Sequence, residues 1–544
     1  MKKIWKRAAA LAMAVLTAGS VPGCGQGDRL AAGVNTDNAI VTSMSTESGS
    51  LDSAGDSSLW WWSYDDVCMA PLMEMEEDGS WNYILAESVD VSDDMTRYTV
   101  HIREEAKWNN GDDVTSADFL NTITRALDPE CQSGYSSMLF VIQGAQEMYN
   151  GEGDVSGLGV TCPDDKTIVF DLTGPCTYFE QLFVLPVYMP THRELQTETN
   201  GDWAMGNDMD ALVSCGPYYL AEYVPNQYCL YKKNESYVQA DRITTETVQK
   251  IVMDDTQSII NAYRAGDLNF ITADDIVMDK YAGSDELQVW PSITSYYVLF
   301  NMEEAPFDDV RIRQAFTLAV NREEVAQACG SSFEGSGFFV AKHLLSSASG
   351  EDWSDEAGED PVTFDPERAR ELLAEAGYPD GEGFPQVTYK YPSLQIDSDI
   401  AQALQAQWKE NLGIEVELQA QEQQVNISTR RSGDYQLCRM RWTADFADPY
   451  TFLSMYRTGD SYNDNNTSCE EFDTLMAQAG EESNPTERFR LMHEAEKILL
   501  SDYCFGVPVL NSSNIYLVDE HITNFELDPA RNVIRTKYLK FTPD

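Results

Sequence analysis

One apolar run stands out in this chain, residues 8–18, and it is too short to cross a bilayer, which takes about 20 apolar residues. Lys2, Lys3, Lys6 and Arg7 precede it, and small or turn-prone residues follow at 19–24. A positive start, a short apolar stretch and a small-residue exit read as a signal peptide over residues 1–23. Everything after it is therefore expected to fold outside the cytoplasm. No later stretch looks like a second membrane span. What remains is too long for one ordinary core, so two or three domains are expected.

The exit Val21-Pro22-Gly23-Cys24 resembles a bacterial lipobox, with Pro22 where a small residue is usual. The resemblance implies a lipid on Cys24, which becomes the new N-terminus, followed by a polar tether from Gly25. The alternative is a Cys that merely lies near a cleavage site. The expected location is the extracytoplasmic face of the cell membrane, held there by that lipid. The chain carries 90 acidic against 37 basic residues, a formal net charge of −53, and loses four of those basic residues with the leader. Such a surface repels nucleic acid and anionic lipid, favours solubility and attracts cations, although most of the carboxylates read as a solvated exterior. Ten of the 11 cysteines follow Cys24. An even number in an exported protein permits disulfides, but no C-x-x-C pair or zinc spacing occurs, and no pairing is assigned.

Strand and helix signals interleave along the chain. Residues 98–102 alternate as a strand does, residues 109–113 turn, and Thr115 or Ser116 caps a helix through Phe119, Ile123 and Leu127. Residues 166–172 form another strand, and residues 215–220 open a hairpin that continues into 228–232. Helices are expected at 310–320, at 366–376 after Asp365 and before Gly377, and at 400–408, with a strand at 414–418. Residues 351–361 are acidic and aperiodic, and read as a solvated surface loop. The mixture implies α/β or α+β layers.

Enzyme signatures are missing. The five histidines are scattered, and there is no H-E-x-x-H, no G-x-S-x-G and no G-x-x-x-x-G-K-[ST]. Residues 460–471 are polar enough for a calcium loop, but Asn465 stands where the sharp turn needs glycine. No catalytic residue, cofactor or metal ligand is assigned, and binding is the default.

Several ordered segments across nearly the whole mature chain resemble the family-five extracellular solute-binding proteins, the peptide- and nickel-binding components of ABC importers. They include residues 91–119 with Trp108, the Asn110-Gly111 turn and Thr115; Gly216-Pro217-Tyr218; Ala265-Gly266-Asp267-Leu268; and Phe300-Asn301 with residues 306–315. Ala376-Gly377-Tyr378 and the run Trp442-Thr443-Ala444-Asp445-Phe446-Ala447-Asp448-Pro449 complete the set. The resemblance implies an α/β, two-lobed periplasmic-binding-protein-like fold with an extra domain inserted in the first lobe. The implied division is a signal peptide at 1–23, a tether and the start of lobe I at 24–80, and the inserted domain at 81–188. Lobe I continues over 189–290, lobe II takes 291–511, and residues 512–544 return to lobe I. Trp108, Gly111, Thr115, Arg311, Arg313 and Gln314 are read as scaffold.

By the same resemblance, the strand carrying Trp442, Thr443, Ala444, Asp445 and Phe446 lies along the cleft, and Asp445 meets a peptide's α-ammonium. The other role for Asp445 is a loop cap or a salt bridge to a neighbouring arginine such as Arg441. Trp60 and Trp61, in a run of three tryptophans, are candidate cleft walls, because successive helical residues point about 100° apart and cannot all enter one core. The implied function is a monomeric substrate-binding lipoprotein that delivers peptides to the permease subunits of an ABC importer. Its alternatives are nickel, a chelate or another small solute on the same fold, and, from another class, a secreted hydrolase, which product formation would distinguish.

Overall fold

The computed structural model describes residues 38–44, 54, 67–76, 80–131, 133–194, 212–346, 348–460, 462–528 and 531–542. Cys24, Trp60, Trp61 and the expected signal peptide lie outside them. The first strand, β1 (Ala39–Met44), is followed by the short pair β2 (Met73–Met75) and β3 (Trp81–Tyr83). Then β4 (Ala86–Val91), β5 (Arg97–Ile102), β6 (Val160–Asp164) and β7 (Thr167–Asp171) form an antiparallel sheet of their own, ordered β4-β5-β7-β6. The large sheet joins β1 to β8 (Tyr218–Val224), β9 (Tyr228–Lys233), β10 (Thr247–Val252), β11 (Phe270–Thr272) and β12 (Leu287–Phe300). It continues through β13 (Phe333–Gly335), β14 (Val387–Pro392), β15 (Val416–Gln421), β16 (Leu437–Thr443) and β17 (Gly506–Val518). A last small pair is β18 (Ile522–Thr523) with β19 (Lys540–Phe541).

The order β15-β14-β16-β12-β17-β11-β1-β10-β9-β8, with β13 against β17, makes one 11-stranded sheet shared by two lobes. Two long strands run through both. Near one end β12 pairs with β17 from Leu287↔Leu517 to Pro291↔Ser513, and beyond a register shift it pairs again from Ser295↔Asn511. Bulges interrupt a ladder and bend the strands. Asn511 fills the gap, donating from Nδ2 to the Thr294 carbonyl at 2.8 Å and to Ser295 Oγ at 2.9 Å. On one side of the bulge the apolar core gathers around Val41, Ile271 and Leu517. On the other side two cores cover opposite faces of the sheet, one around Phe316 and Trp408 and one around Phe339 and Tyr456. That division follows from strict alternation: Leu437 enters one core and Cys438 the other.

Local signals in the sequence are realised closely. The helix Ser116–Ala126 starts at Thr115, whose N–H donates to the Asp118 carboxylate at 2.8 Å in a capping box. Gly111 takes a left-handed φ of 97° in its turn. Gly216 sits where an added Cβ would come within 2.5 Å of Met69 O, so the hairpin β8–β9 packs backbone to backbone against residues 68–69. Arg313 donates to the carbonyls of Cys504, Phe307 and Tyr503, and Gln314 to that of Ser501, as scaffold residues do. Among the described residues no helix is long and apolar enough to cross a membrane.

Three expectations change. The strand expected at 414–418 is shifted to Val416–Gln421, and the helix at 400–408 extends over Gln395–Leu412 to a left-handed Gly413. Residues 351–361 lie at the surface as expected, but they are anchored there and not aperiodic. They carry the short helix Trp353–Ala357, with Trp353 wholly buried and its indole N–H donating to Glu496 at 2.7 Å. A single large apolar side chain with a distant partner outweighs the acidity around it.

Candidate functional site

Strand β16 reaches the middle of the molecule with one edge paired and the other open. It pairs antiparallel with β12 along its whole length, from Phe300↔Leu437 to Thr294↔Thr443. The Ala444 N–H donates to the Ile293 carbonyl and the Asn301 N–H to the Gln436 carbonyl, so the even-numbered residues of this segment face β12. In an antiparallel ladder the intervening residues turn their N–H and C=O groups the other way. On that side β14 pairs only with Leu437 and Cys438. Beyond that pairing, the backbone groups of Arg441 and Thr443 border an edge that no strand occupies among the described residues.

A cavity lies on each face beside this edge. The larger, about 580 Å³, is lined by Thr294 and Tyr296 of β12, by Arg441, Thr443, Ala444 and Asp445, and across from them by Asp274, Asp275 and Asn514. Tyr135, from the segment between β5 and β6, closes it. The second, about 470 Å³, is lined by Trp442, Phe446, Tyr450 and Tyr462 on one side and by Phe140 and Tyr178 on the other. Alternation along β16 sends Arg441 and Thr443 to the first cavity and Trp442 to the second. The Thr443 and Thr294 hydroxyls lie 2.8 Å apart, and the Arg441 guanidinium sits 5.9 Å from the Tyr296 ring.

Asp445 stands where the strand ends. Burial pushes its carboxyl up to about 7, against hydrogen bonds from Thr451 and Tyr135 that pull it down only in part. Among the described residues no cation pairs with it, and Arg441 does not. The expected alternative of a salt bridge to Arg441 is therefore not formed. The segment that holds Asp445 is rigidly braced. Its own N–H donates to Thr451 Oγ1 at 3.2 Å, and Asp448, fully buried, takes both prongs of the Arg488 guanidinium.

The residues named from sequence thus divide. Thr443, Ala444 and Asp445 meet at the larger cavity, while Trp442 and Phe446 turn into the other. Phe446 stacks on Tyr178, ring centroids 5.7 Å apart and planes 7° from parallel. The Trp442 indole N–H is buried without a hydrogen-bond partner among the described residues. Tyr135, Thr294 and Asn514 had no signal in the sequence, because they arrive from segments far away, and Thr451, six residues past Asp445, is brought back to it only by the turn between them. Arg441 had one: it is two residues before Thr443 and so shares its face. In the polar loop after Asp460, Asn463 and Asn465 serve as internal struts, donating to the carbonyls of Arg457, Thr467 and Phe505. Among the described residues no group of three or more His, Cys, Asp or Glu side chains could hold a metal ion.

A two-lobed α/β frame of this kind is also found in known proteins. The chain is 29% identical over 481 residues to the oligopeptide-binding protein OppA of Bacillus subtilis, covering 86% of this chain and 87% of that one. It is 27% identical over 463 residues to the dipeptide-binding protein DppE of the same organism, covering 85% and 84%. The solved structure of Listeria monocytogenes OppA bound to peptide superposes with a TM-score of 0.76 at 23% identity, covering 94% of this chain and 100% of that one, which establishes the common fold. Residues 81–464 match the family model of the bacterial extracellular solute-binding proteins, family 5. With that match extending over well over half its length, the chain belongs to the family 5 bacterial extracellular solute-binding proteins.

Proposed function

We propose that this protein is the peptide-capturing subunit of an ABC importer, anchored outside the membrane through a lipid on Cys24, and that it performs no catalysis. The observation that carries the reading is the open edge of β16 ending at the unpaired carboxylate of Asp445. An extended peptide has unpaired backbone N–H and C=O groups, and a strand edge satisfies them whatever the side chains are. An α-ammonium opposite Asp445 sets the register and supplies the missing cation. Alternate side chains of such a peptide fall into the two cavities, because the edge lies between them. Trp442 and Phe446 then serve as walls of the second cavity, and Trp60 and Trp61 remain candidate walls.

The lobes close about the bulge between Pro291 and Ser295, with lobe II running from there to Asn511 and residues 81–188 forming the inserted domain. A ligand that touches both sides binds the closed form better and shifts the population toward it. The loaded, closed form is the one offered to the permease. Native mass spectrometry of the protein purified without denaturant tests the reading. Bound masses that fragment as peptides with free amino termini support it, and a nickel chelate or another non-peptide solute would replace it.

A further inference from the structure

A file of side-chain hydrogen bonds crosses the bulge in β12 along the wall of the larger cavity. Asn514 Nδ2 donates to Asn532 Oδ1 at 2.9 Å, and Asn532 Nδ2 donates to Ser292 Oγ at 3.1 Å. Ser292 Oγ donates in turn to Thr294 Oγ1 at 2.8 Å, and the Thr294 and Thr443 hydroxyls, 2.8 Å apart, complete the file. All five residues line the cavity. Ser292 and Thr294 lie in the stretch of β12 where the ladder to β17 is interrupted, and, two residues apart on a strand, they share a face. Both are buried, so each hydroxyl depends on its neighbours in the file. The flanks are fixed. The Asn532 N–H donates to the Asp528 carbonyl at 2.8 Å, in a turn whose left-handed φ of 57° suits asparagine, and Asn511 holds the Thr294 carbonyl.

The direction of donation decides what the file offers. Thr294 has one hydroxyl proton, already accepts the proton of Ser292, and has no further hydrogen-bond partner for its hydroxyl than Thr443 among the described residues. If Thr443 donated to it, the Thr294 proton would be stranded in a buried place. Thr294 therefore donates to Thr443, and the proton of the exposed Thr443 is left for an acceptor in the cavity. The next step rests on the proposed hinge and on a peptide filling the cavity. Asn514 and Asn532 belong to one proposed lobe, Thr443 to the other, and Ser292 and Thr294 to the bulge between them. Rotation about the bulge strains one link above all, Asn532 to Ser292. We propose that this file couples occupancy of the larger cavity to the hinge: an acceptor oxygen on the ligand takes the Thr443 proton, and the aligned file then holds Ser292 on Asn532 in the closed form. Hydrogen bonds in a chain polarise one another, so engaging one end strengthens the links behind it. Thr443 is the ligand-facing end, and Ser292 is a positioning residue that acts through it.

The test uses a mixed library of tri- to hexapeptides with free termini, titrated by calorimetry into full-length protein stripped of ligand by unfolding and refolding. Thr443→Val and Ser292→Ala should each weaken the apparent affinity about 5-fold, and the double variant should lose little more than either. Thr443→Ser, which restores a hydroxyl, should recover the affinity. Asn532→Gly keeps the left-handed turn, cuts the same link as Ser292→Ala and should reproduce its loss, so the result does not hang on one variant folding. In hydrogen exchange, saturating library should slow the backbone amides of residues 292–295 in wild type and slow them less in Thr443→Val. Additive losses, or equal slowing in wild type and Thr443→Val, overturn the file as a coupling element and leave peptide capture standing. Failure of the library to bind wild type overturns the peptide reading and this inference with it.

Discussion

The guanidinium of Arg488 grips the carboxylate of Asp448 at 2.6 and 2.8 Å, with both side chains almost fully buried. The pair lies three residues beyond Asp445 and 5.3 Å from the Tyr178 ring, which in turn stacks on Phe446 and Tyr450. One ion pair thus braces the segment that carries the site and seats an aromatic side chain from the segment between β7 and β8. Removing one member of a buried pair leaves the other charge stranded, at a cost of roughly 3–5 kcal/mol. Arg488→Met should lower stability by about that amount in urea unfolding, and Asp448→Asn by a similar amount, with the double substitution far less than additive.

Asp445 should show direct coupling to a ligand amine. Truncating one partner of a closed-cleft charge pair costs about 2–5 kcal/mol. Asp445→Asn and N-terminal acetylation of the peptide should each weaken binding by such a margin, yet together by little more than either. Calorimetry with both proteins and both peptides closes the cycle. Additive losses would make Asp445 structural.

The same carboxyl makes binding pH-dependent. With its titration near 7, Asp445 must lose a proton to meet an ammonium. Affinity for free-amine peptides should fall by up to about 10-fold per unit below pH 7, and binding near pH 6 should release protons, read as heats that change with the buffer's ionisation enthalpy. Acetylated peptides should show neither effect.

Stability of the unliganded protein should peak at mildly acidic pH. Burial raises Glu496 to about 7, as it does Asp445, so these two contribute stability that is present below the ordinary carboxyl range and lost as pH rises through about 7. His343, clamped by Asp352 and Glu334 and raised to about 9, adds stability that is lost between about 6.5 and 9. On the acid side, burial would raise Glu74, but Lys537, Arg535 and Arg531 outweigh it and hold it at about 2. Its contribution therefore disappears as pH falls from 4.5 through that value. Urea midpoints from pH 3 to 9 should trace this curve, and Glu496→Gln should flatten its slope between pH 4 and 7.

Cys24→Ala should release the protein from membranes, since each buried acyl CH₂ contributes about 0.8 kcal/mol of membrane affinity. If the variant still sediments with membranes and the wild type carries no lipid mass, the anchor is wrong.

Closure should be visible by solution scattering as a smaller radius of gyration with saturating peptide than after stripping. Identical profiles would remove hinge motion about the Pro291–Ser295 bulge.

Elements whose signals are local were legible in the amino-acid order. The capped helix after Thr115, the turn at Gly111, the hairpin after Gly216 and the pattern ending at Asp448-Pro449 depend on neighbours within a few positions, where dihedral preferences and short-range hydrogen bonds act. The helix around Trp353 was not legible, because burying that indole depends on Glu496, 143 positions along the chain. The site divided in the same way. Strand alternation already separated Trp442 from Arg441 and Thr443, and the family resemblance singled out Asp445. Only the tertiary structure left the β16 edge unpaired, brought Tyr135 to the Asp445 carboxyl, desolvated that carboxyl with no cation beside it among the described residues, and paired Arg439 with Asp397. Those outcomes depend on desolvation and on partners far apart in sequence, which are set when the chain packs and not by its local order.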